Sequence, residues 1–411
     1  MGFAQGVSGL NAASQALDVI GNNISNSQTV GFKSGSASFA DIFAGSRIGL
    51  GVKVAGINQN FSDGTIASSG NSLDMALQGN GFFRMQDDAG SVYYSRNGQF
   101  QKDKDGYIVN NQGMFLTGYQ ATGTPPKIQQ GSDVGPIRIP SDGMPASAST
   151  SGKITGNLCS EDKAIVDDAG NPIAFDPTKD DTYNFKSQVS AYDSLGNKHT
   201  INLYYQKTGP NEWKVYSCDA TSPLGGDANN LAAYKTVDLK FDASGNMTPK
   251  DVKIPVEGES YNGANALNFD TTLNFTQNSE KDGTTENTTN GYAPGTMIGY
   301  QIDEGGLVTA SYSNGEKQTI AQVVLASFAN NGGLDPQGNN CWKETSASGQ
   351  PVLGLSGTGT MGTLYGQAVE ASNVDMSQEL VSMMIQQRNY QSNSQTIKTQ
   401  DQLLQTLVNL R

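Results

Sequence analysis

The chain has 411 residues, 36% hydrophobic and 8% aromatic, with 49 Gly and a net charge of −13 from 39 acidic against 26 basic side chains. That length allows two or three domains of usual size, and that apolar content excludes a wholly disordered polymer. Lys33, Arg47, Lys53, Arg84 and Arg96 stand singly and form no basic stripe of the kind that neutralises phosphates, so nucleic acid and anionic membrane surfaces are excluded as partners.

The opening stretch, MGFAQGVSGLNAASQALDVIG, has neither a basic n-region nor an uninterrupted apolar h-region, so it does not read as a signal peptide. No run approaches the roughly 20 apolar residues of a membrane span, and no membrane insertion is expected. Two destinations stay open: the cytoplasm, or an exit route that needs no cleaved signal. Phe3, Val7, Leu10, Leu17, Ile20 and Ile24 recur at spacings of three, four or seven, with Ala12, Ala13 and Ala16 between them. This pattern predicts an amphipathic helix with a narrow apolar seam. The helix ends in VIGNNISNSQTVGFKSG, Val19 to Gly35, where Asn22 and Asn23 open a polar segment that Gly31, Phe32 and Lys33 resume. Residues 26–70 are expected as an extended Asn- and Gly-rich arm.

The middle of the chain reads as β. Runs such as GFFRMQ, SVYYSRNGQF, YIVN, KSQVSAYD, TINLYYQK, EWKVYSC and TIAQVVLASFA are separated by turn signals. Those signals include Asp87 to Gly90, Asp105-Gly106, Asp193 to Asn197, Asp242 to Asn246, Asp303 to Gly306 and Asn314-Gly315, which supply the positive-φ positions that tight hairpins need. Near 140–152 and again across 278–291 the composition shifts to Ser, Thr, Gly and Asn, as in linkers. The shifts delimit an outer β domain, 145–290, inserted into an inner β domain made of 71–144 and 291–365.

At the far end Met376, Met383, Tyr390, Ile397 and Leu404 fall one heptad apart, joined by Leu380, Met384, Leu407 and Val408, in a stretch free of Pro and Gly from Ala368 to Arg411. This predicts a long helix with a coiled-coil type of seam whose other face is rich in Gln and Asn. Two readings stay open. Residues 1–25 and 366–411 pack on each other and close a terminal helical domain, or each seam is a half-site completed by other copies of the chain, since so narrow a seam buries little on its own. The expected fold class is therefore multidomain and mainly β, with nested β domains and long N- and C-terminal α-helices forming a coiled-coil-like terminal domain.

Local chemistry is sparse. His199, the single histidine, stands in GNKHTINLYY with no Ser, Cys or carboxylate partner and no second ligand expected nearby. Cys159, Cys218 and Cys341 are far apart and read as small core residues, not as a zinc site or disulfide framework. The DKDG at Asp103 to Gly106 suggests a calcium loop, but that register puts Gln101 and Gln112 where carboxylates are required, so it reads as a turn. The GNG at 79–81 lacks the third glycine of a dinucleotide loop. No catalytic, cofactor-binding or metal-ligating residue is assigned, and an acid pair converging in space stays as the residual enzyme hypothesis.

GNNISNSQTVGFKSG resembles the N-terminal signature of the bacterial flagellar axial proteins, and the stretch from Glu370 to Arg411 resembles their matching C-terminal helix. FADIFAGSRIGLGVKV, NGFFRM, YSRNGQF and GYQATGTPPKIQQG resemble segments of the hook branch of that family, whereas 145–290 is less distinctive. The resemblance implies a structural subunit, not an enzyme, that polymerises with itself into a curved flexible tube around an export channel, a universal joint carrying motor torque to the filament. It further implies export by the flagellar type III apparatus to an extracellular hook, and neighbours among the distal rod, hook cap, hook-length control and hook-filament junction proteins. No cofactor is implied. On this reading Phe3, Val7, Leu10, Leu17, Ile20, Asn22, Asn23, Ile24, Gly31, Phe32, Lys33, Met376, Leu380, Met383, Tyr390, Ile397, Leu404 and Val408 lie at subunit interfaces. A distal rod protein is the alternative within the family. A secreted β-rich adhesin or binding module is the alternative outside it, although it leaves both terminal helices without a purpose.

Overall fold

The computed structural model describes residues 2–42, 49–123, 126–167, 170–171, 173–221, 234–258 and 263–409, with side chains to Thr406. It is mainly β, with one long helix at each end: α1, Gly2–Ser25, and α2, Met376–Asn409. The chain divides into two compact units. The first comprises Met1–Ser141, Gly299–Ser311 and Lys317–Arg411; the second comprises Asp142–Ile298 and Tyr312–Glu316.

In the first unit the strand Lys317–Val323 lies antiparallel to Phe115–Thr122, with Ala321 opposite Gln120. Residues about 200 positions apart thus share one sheet, which is how the chain closes around an insertion. The same sheet continues through Phe82–Gln86 and Val92–Ser95 to Cys341–Lys343. Phe82, Tyr94 and Trp342 of these strands join Phe328, just after the strand Leu325–Ser327, in one apolar core. Their rings meet edge to face, at 4.7 Å between the Tyr94 and Phe328 centroids.

The second unit is a sandwich of two four-stranded sheets. One runs Val252–Glu257, Asn268–Asn278, Ser151–Cys159, Gly283–Thr289, and the other Phe185–Tyr192, Lys198–Gly209, Glu212–Asp219, Lys235–Lys240. Ile154, Leu158, Leu273 and Phe275 of the first pack against Ile201, Leu203, Tyr205, Trp213 and Val215 of the second. This is the face-to-face burial expected of two half-polar sheets. His199 sits in this unit, buried, with Nδ1 2.6 Å from Asp219 Oδ2 and Nε2 3.5 Å from Asp193 Oδ2. Cys218 and Cys341 are buried free thiols and Cys159 is half-buried; burial pushes the Cys341 thiol up to about 11.

The Asp-led turns share one geometry. Asp103 Oδ1 accepts from the N–H groups of Asp105 and Tyr107, at 3.0 and 2.7 Å, and Gly106 takes φ +91°. The DKDG stretch is thus a self-bonded turn whose carboxylate is already used by the backbone. Among the described residues no group of three or more His, Cys, Asp and Glu could hold a metal ion.

Candidate assembly interface

Both helices and the polar segment after α1 belong to the first unit. Asp375 starts α2: its Oδ1 accepts from the N–H of Ser377 at 2.9 Å and of Gln378 at 3.1 Å, which satisfies donors that a helix start leaves open. The helices run antiparallel. Gly6 lies beside Ile397, Gly9 beside Asn393, and Asn23 Nδ2 donates to Glu379 Oε1 at 3.0 Å. The contact is close because the residues at the crossing are small. A Cβ on Gly9 would come within 2.8 Å of the Asn393 amide, and Ala12, Ala13, Ala16 and Ile20 are the buried apolar side chains of α1.

The segment after α1 turns back on it. β1, Gly35–Asp41, and β2, Val52–Gln59, form an antiparallel hairpin packed on α1. Asn23 fastens the hairpin as a strand residue would: its Nδ2 donates to Gly35 O at 2.8 Å and its Oδ1 accepts from Gly35 N at 2.9 Å. Ser8 Oγ accepts from Val52 N, and Gln5 Nε2 donates to Gly49 O. A cleft of about 350 Å³ opens between α1 and β2, lined by Gln15, Asp18, Val19, Asn22, Phe32 and Ile57 among others.

The GFK residues meet the residues just ahead of α2. Lys33 Nζ lies 2.7 Å from Glu370 Oε1 and donates to Ser62 O at 2.7 Å, with both charged side chains 1% exposed. Glu370 Oε1 also accepts from Gly64 N, and its Oε2 is 3.4 Å from Arg96 Nη1, which reaches Asp63 as well. Gly31 N donates to Glu370 O at 2.8 Å, and Asn373 bridges Ser34 N, Asn60 O and Ser62 O. Burial, then the Arg96 charge, pull the Lys33 ammonium below the usual lysine range against the opposing pull of Glu370. The two terminal signatures are therefore one buried intrachain joint, tied to the β core through Arg96.

This geometry sorts the residues expected at interfaces. Asn23, Gly31 and Lys33 are buried inside the chain and serve the joint, and Ile20 is a buried side chain of α1. All four are surrounded by their own chain. Val7, Leu10, Leu17, Ile24, Phe32, Met383 and Ile397 are half-buried. Phe3, Asn22, Met376, Leu380, Tyr390 and Leu404 are exposed, Leu404 at 55%. Val408 lies outside the described side chains. Along the heptad row of α2, which keeps to one side of the helix, Met383 and Ile397 are half-buried while Met376, Tyr390 and Leu404 stay exposed. The heptad reading missed Val381 and Ile385, which with Met384 are about half exposed on the side turned from α1. Their spacing of three and four was the available signal. Glu370, Asp63 and Arg96 were missed as well, since nothing local in the sequence marks them as partners of Lys33.

Comparison with known proteins accounts for nearly the whole chain. Residues 5–33 match the model described as flagella basal body rod protein, and 76–156 match the flagellar hook protein FlgE/F/G D1 domain. Residues 157–292 match the flagellar basal body protein FlaE D2 domain, and 365–410 the flagellar basal body rod FlgEFG protein C-terminal model. The flagellar hook proteins FlgE of Escherichia coli and Salmonella typhimurium are each 50% identical over 413 aligned residues, covering 100% of both chains. A crystal structure of a flagellar hook protein from Helicobacter pylori shares the fold at a TM-score of 0.52 and 16% identity, covering 74% of this chain and 100% of that one. The chain belongs to the flagellar hook protein family.

Proposed function

We propose that the chain is the structural subunit of a flagellar hook, and that its polymer is a curved, flexible tube that surrounds an export channel and passes motor torque to the filament as a universal joint. The observation that carries the hook reading over the rod is identity of 50% to hook proteins across their full length, outer unit included. In this reading residues 1–25 and 366–411 form the inner tube and 26–70 touch neighbours. Residues 71–144 with 291–365, and 145–290, form the outer layers. The uncovered apolar residues Phe3, Met376, Leu380, Tyr390 and Leu404, with half-buried Val7, Leu10 and Leu17, are the side chains we assign to neighbouring subunits. Identical head-to-tail contacts that do not close into a ring generate such a tube.

The Gln- and Asn-rich face of α2 suits a channel wall that must pass unfolded chains without holding them. The same proposal places the subunit outside the cell after export by the flagellar type III apparatus without a cleaved signal. It also gives it the distal rod, hook cap, hook-length control and hook-filament junction proteins as neighbours, and a mechanical role without catalysis. Negative-stain electron microscopy tests it, comparing the concentrated full chain with one lacking 1–25 and 376–411, a truncation that spares the Lys33–Glu370 joint. Curved tubes from the first and none from the second are expected; a full chain that stays monomeric, or a truncated chain that still forms tubes, overturns the proposal.

A further inference from the structure

The α1–β2 cleft and the outward side of α2 carry matching patterns. On α1 the cleft residues Gln15, Asp18, Val19 and Asn22 follow the spacing i, i+3, i+4, i+7, and Ile57 of β2 stands over them 61% exposed. On α2 Val381, Met384, Ile385 and Arg388 follow the same spacing and are all exposed. At about 100° per residue each set forms one helix face. In the antiparallel pair the α2 set points away from α1, and Asp18 and Asn22 point away from α2. The two faces therefore lie on opposite sides of the helix pair and cannot meet within one chain. Each also carries an unused charge: Asp18 and Arg388 are exposed, and among the described residues neither makes an ion pair.

We infer that the Val381–Arg388 face of one subunit docks in the α1–β2 cleft of a second copy, with Met384 and Ile385 against Val19 and Ile57 and Arg388 paired to Asp18. The inference rests on the self-polymerising reading above and names the surfaces that would serve it. An apolar helix face with an i, i+3, i+4, i+7 pattern laid in an apolar groove is a recurrent recognition mode. Here one exposed acidic side chain of the cleft, Asp18, meets one exposed basic side chain in the middle of α2, Arg388, so the charges set register and partner choice. Because the two patches differ and lie on opposite sides, the contact is heterologous and repeats without closing.

Charge exchange tests it with the full chain. Asp18→Arg places two cations at the contact and Arg388→Asp places two anions; both sites are exposed, and circular dichroism checks that each variant folds. Each variant alone should need at least a tenfold higher critical concentration for tube formation than the parent, read by sedimentation and electron microscopy at low salt. An equimolar mixture of the two, in which alternating subunits pair every cleft with an opposite charge, and the doubly exchanged chain should both return to within about threefold of the parent. Single variants that assemble like the parent would overturn this contact and leave the hook reading intact. Variants that fail and are not restored by mixing or by double exchange would overturn it too. A parent that never assembles would remove the polymer reading and this contact with it.

Discussion

Replacing Glu370 by Gln isolates the joint between the two terminal signatures. The carboxylate sits 2.7 Å from Lys33 Nζ and 3.4 Å from Arg96 Nη1, with all three side chains 1% exposed. The amide keeps an acceptor for Gly64 N but removes the charge, leaving two buried cations with only Asp63 beside them, 36% exposed and 3.4 Å from Arg96. Removing one partner of a buried pair costs about 3–5 kcal/mol, and the residual help from Asp63 places the expected loss near the lower end. Without Glu370 the already lowered Lys33 pKa falls further, while in the unfolded chain it stays near the free-lysine value. Between the two values the unfolded state binds more protons, so the variant gains stability relative to the parent as pH rises from 7 toward 10. Trp342 lies in the first unit and Trp213 in the second, so Trp213→Phe leaves one tryptophan reporting on the joint's own unit. Urea unfolding followed by Trp342 fluorescence at pH 7 and 9.5 reads the effect. A loss below about 1 kcal/mol, the range of exposed ion pairs, or a loss equal at both pH values, refutes the reasoning.

The same assay serves Gly31→Ala. Gly31 has φ +69°, and a Cβ there would lie 2.6 Å from Arg96 C and Asn97 N, backbone atoms that cannot step aside. A loss on the order of 3 kcal/mol is expected, and an unchanged midpoint would show that the joint tolerates a side chain it has no room for. In the second unit the Asp282 carboxyl is pushed up to about 6, chiefly by burial and further by neighbouring Asp162, against the N–H of Cys159 and the charge of Lys207. Its folded pKa exceeds the unfolded value, so its contribution to stability falls as pH rises through roughly 4 to 6. Asp282→Asn, which can still accept from Cys159 N, should flatten that slope and raise the pH 7 midpoint read by Trp213 in a Trp342→Phe chain. A variant less stable than its parent at pH 7 would be the contrary result.

What could be read in the sequence was what neighbouring residues decide among themselves. The hairpin turns were legible because an Asp and the Gly three residues later carry the whole device, as Asp103 with Gly106 and Asp242 with Gly245 do. Both helices were legible from their spacing, but the buried face of α1 was not. Hydrophobicity points to Phe3, Val7 and Leu10, whereas close approach of the two helices selects Gly6, Gly9, Ala13 and Ala16. The β1–β2 hairpin was hidden because GSASFAD lacks a clean apolar alternation, and what fastens it to α1 is polar: hydrogen bonds with Gln5, Ser8 and Asn23. The role of Lys33 could not be reached at all. Its partner lies 337 residues away, and a lysine in a Gly-Phe-Lys turn looks exposed until that carboxylate is placed beside it.

The choice of small residues at the α1–α2 crossing has an energetic consequence that joins these observations. Ala and Gly bring the two backbones together but bury little apolar area each, and burial is worth only about 25 cal/mol per Å². Ordering each helical residue costs about 1–2 kcal/mol of backbone entropy. A pair held this way leans on a few polar fastenings at one end, Asn23 with Glu379 and Lys33 with Glu370, and keeps its large side chains for the outside. Phe3 at one end and Leu403 and Leu404 at the end of α2 beside it lie far from those fastenings, where intrachain support is weakest. If neighbouring copies cover Phe3, Met384, Ile385 and Leu404 as proposed, the area missing from the intrachain contact is supplied between chains. The helices then gain most of their stability in the polymer, and the joint at Lys33 and Glu370 keeps both of them attached to the β core until that happens.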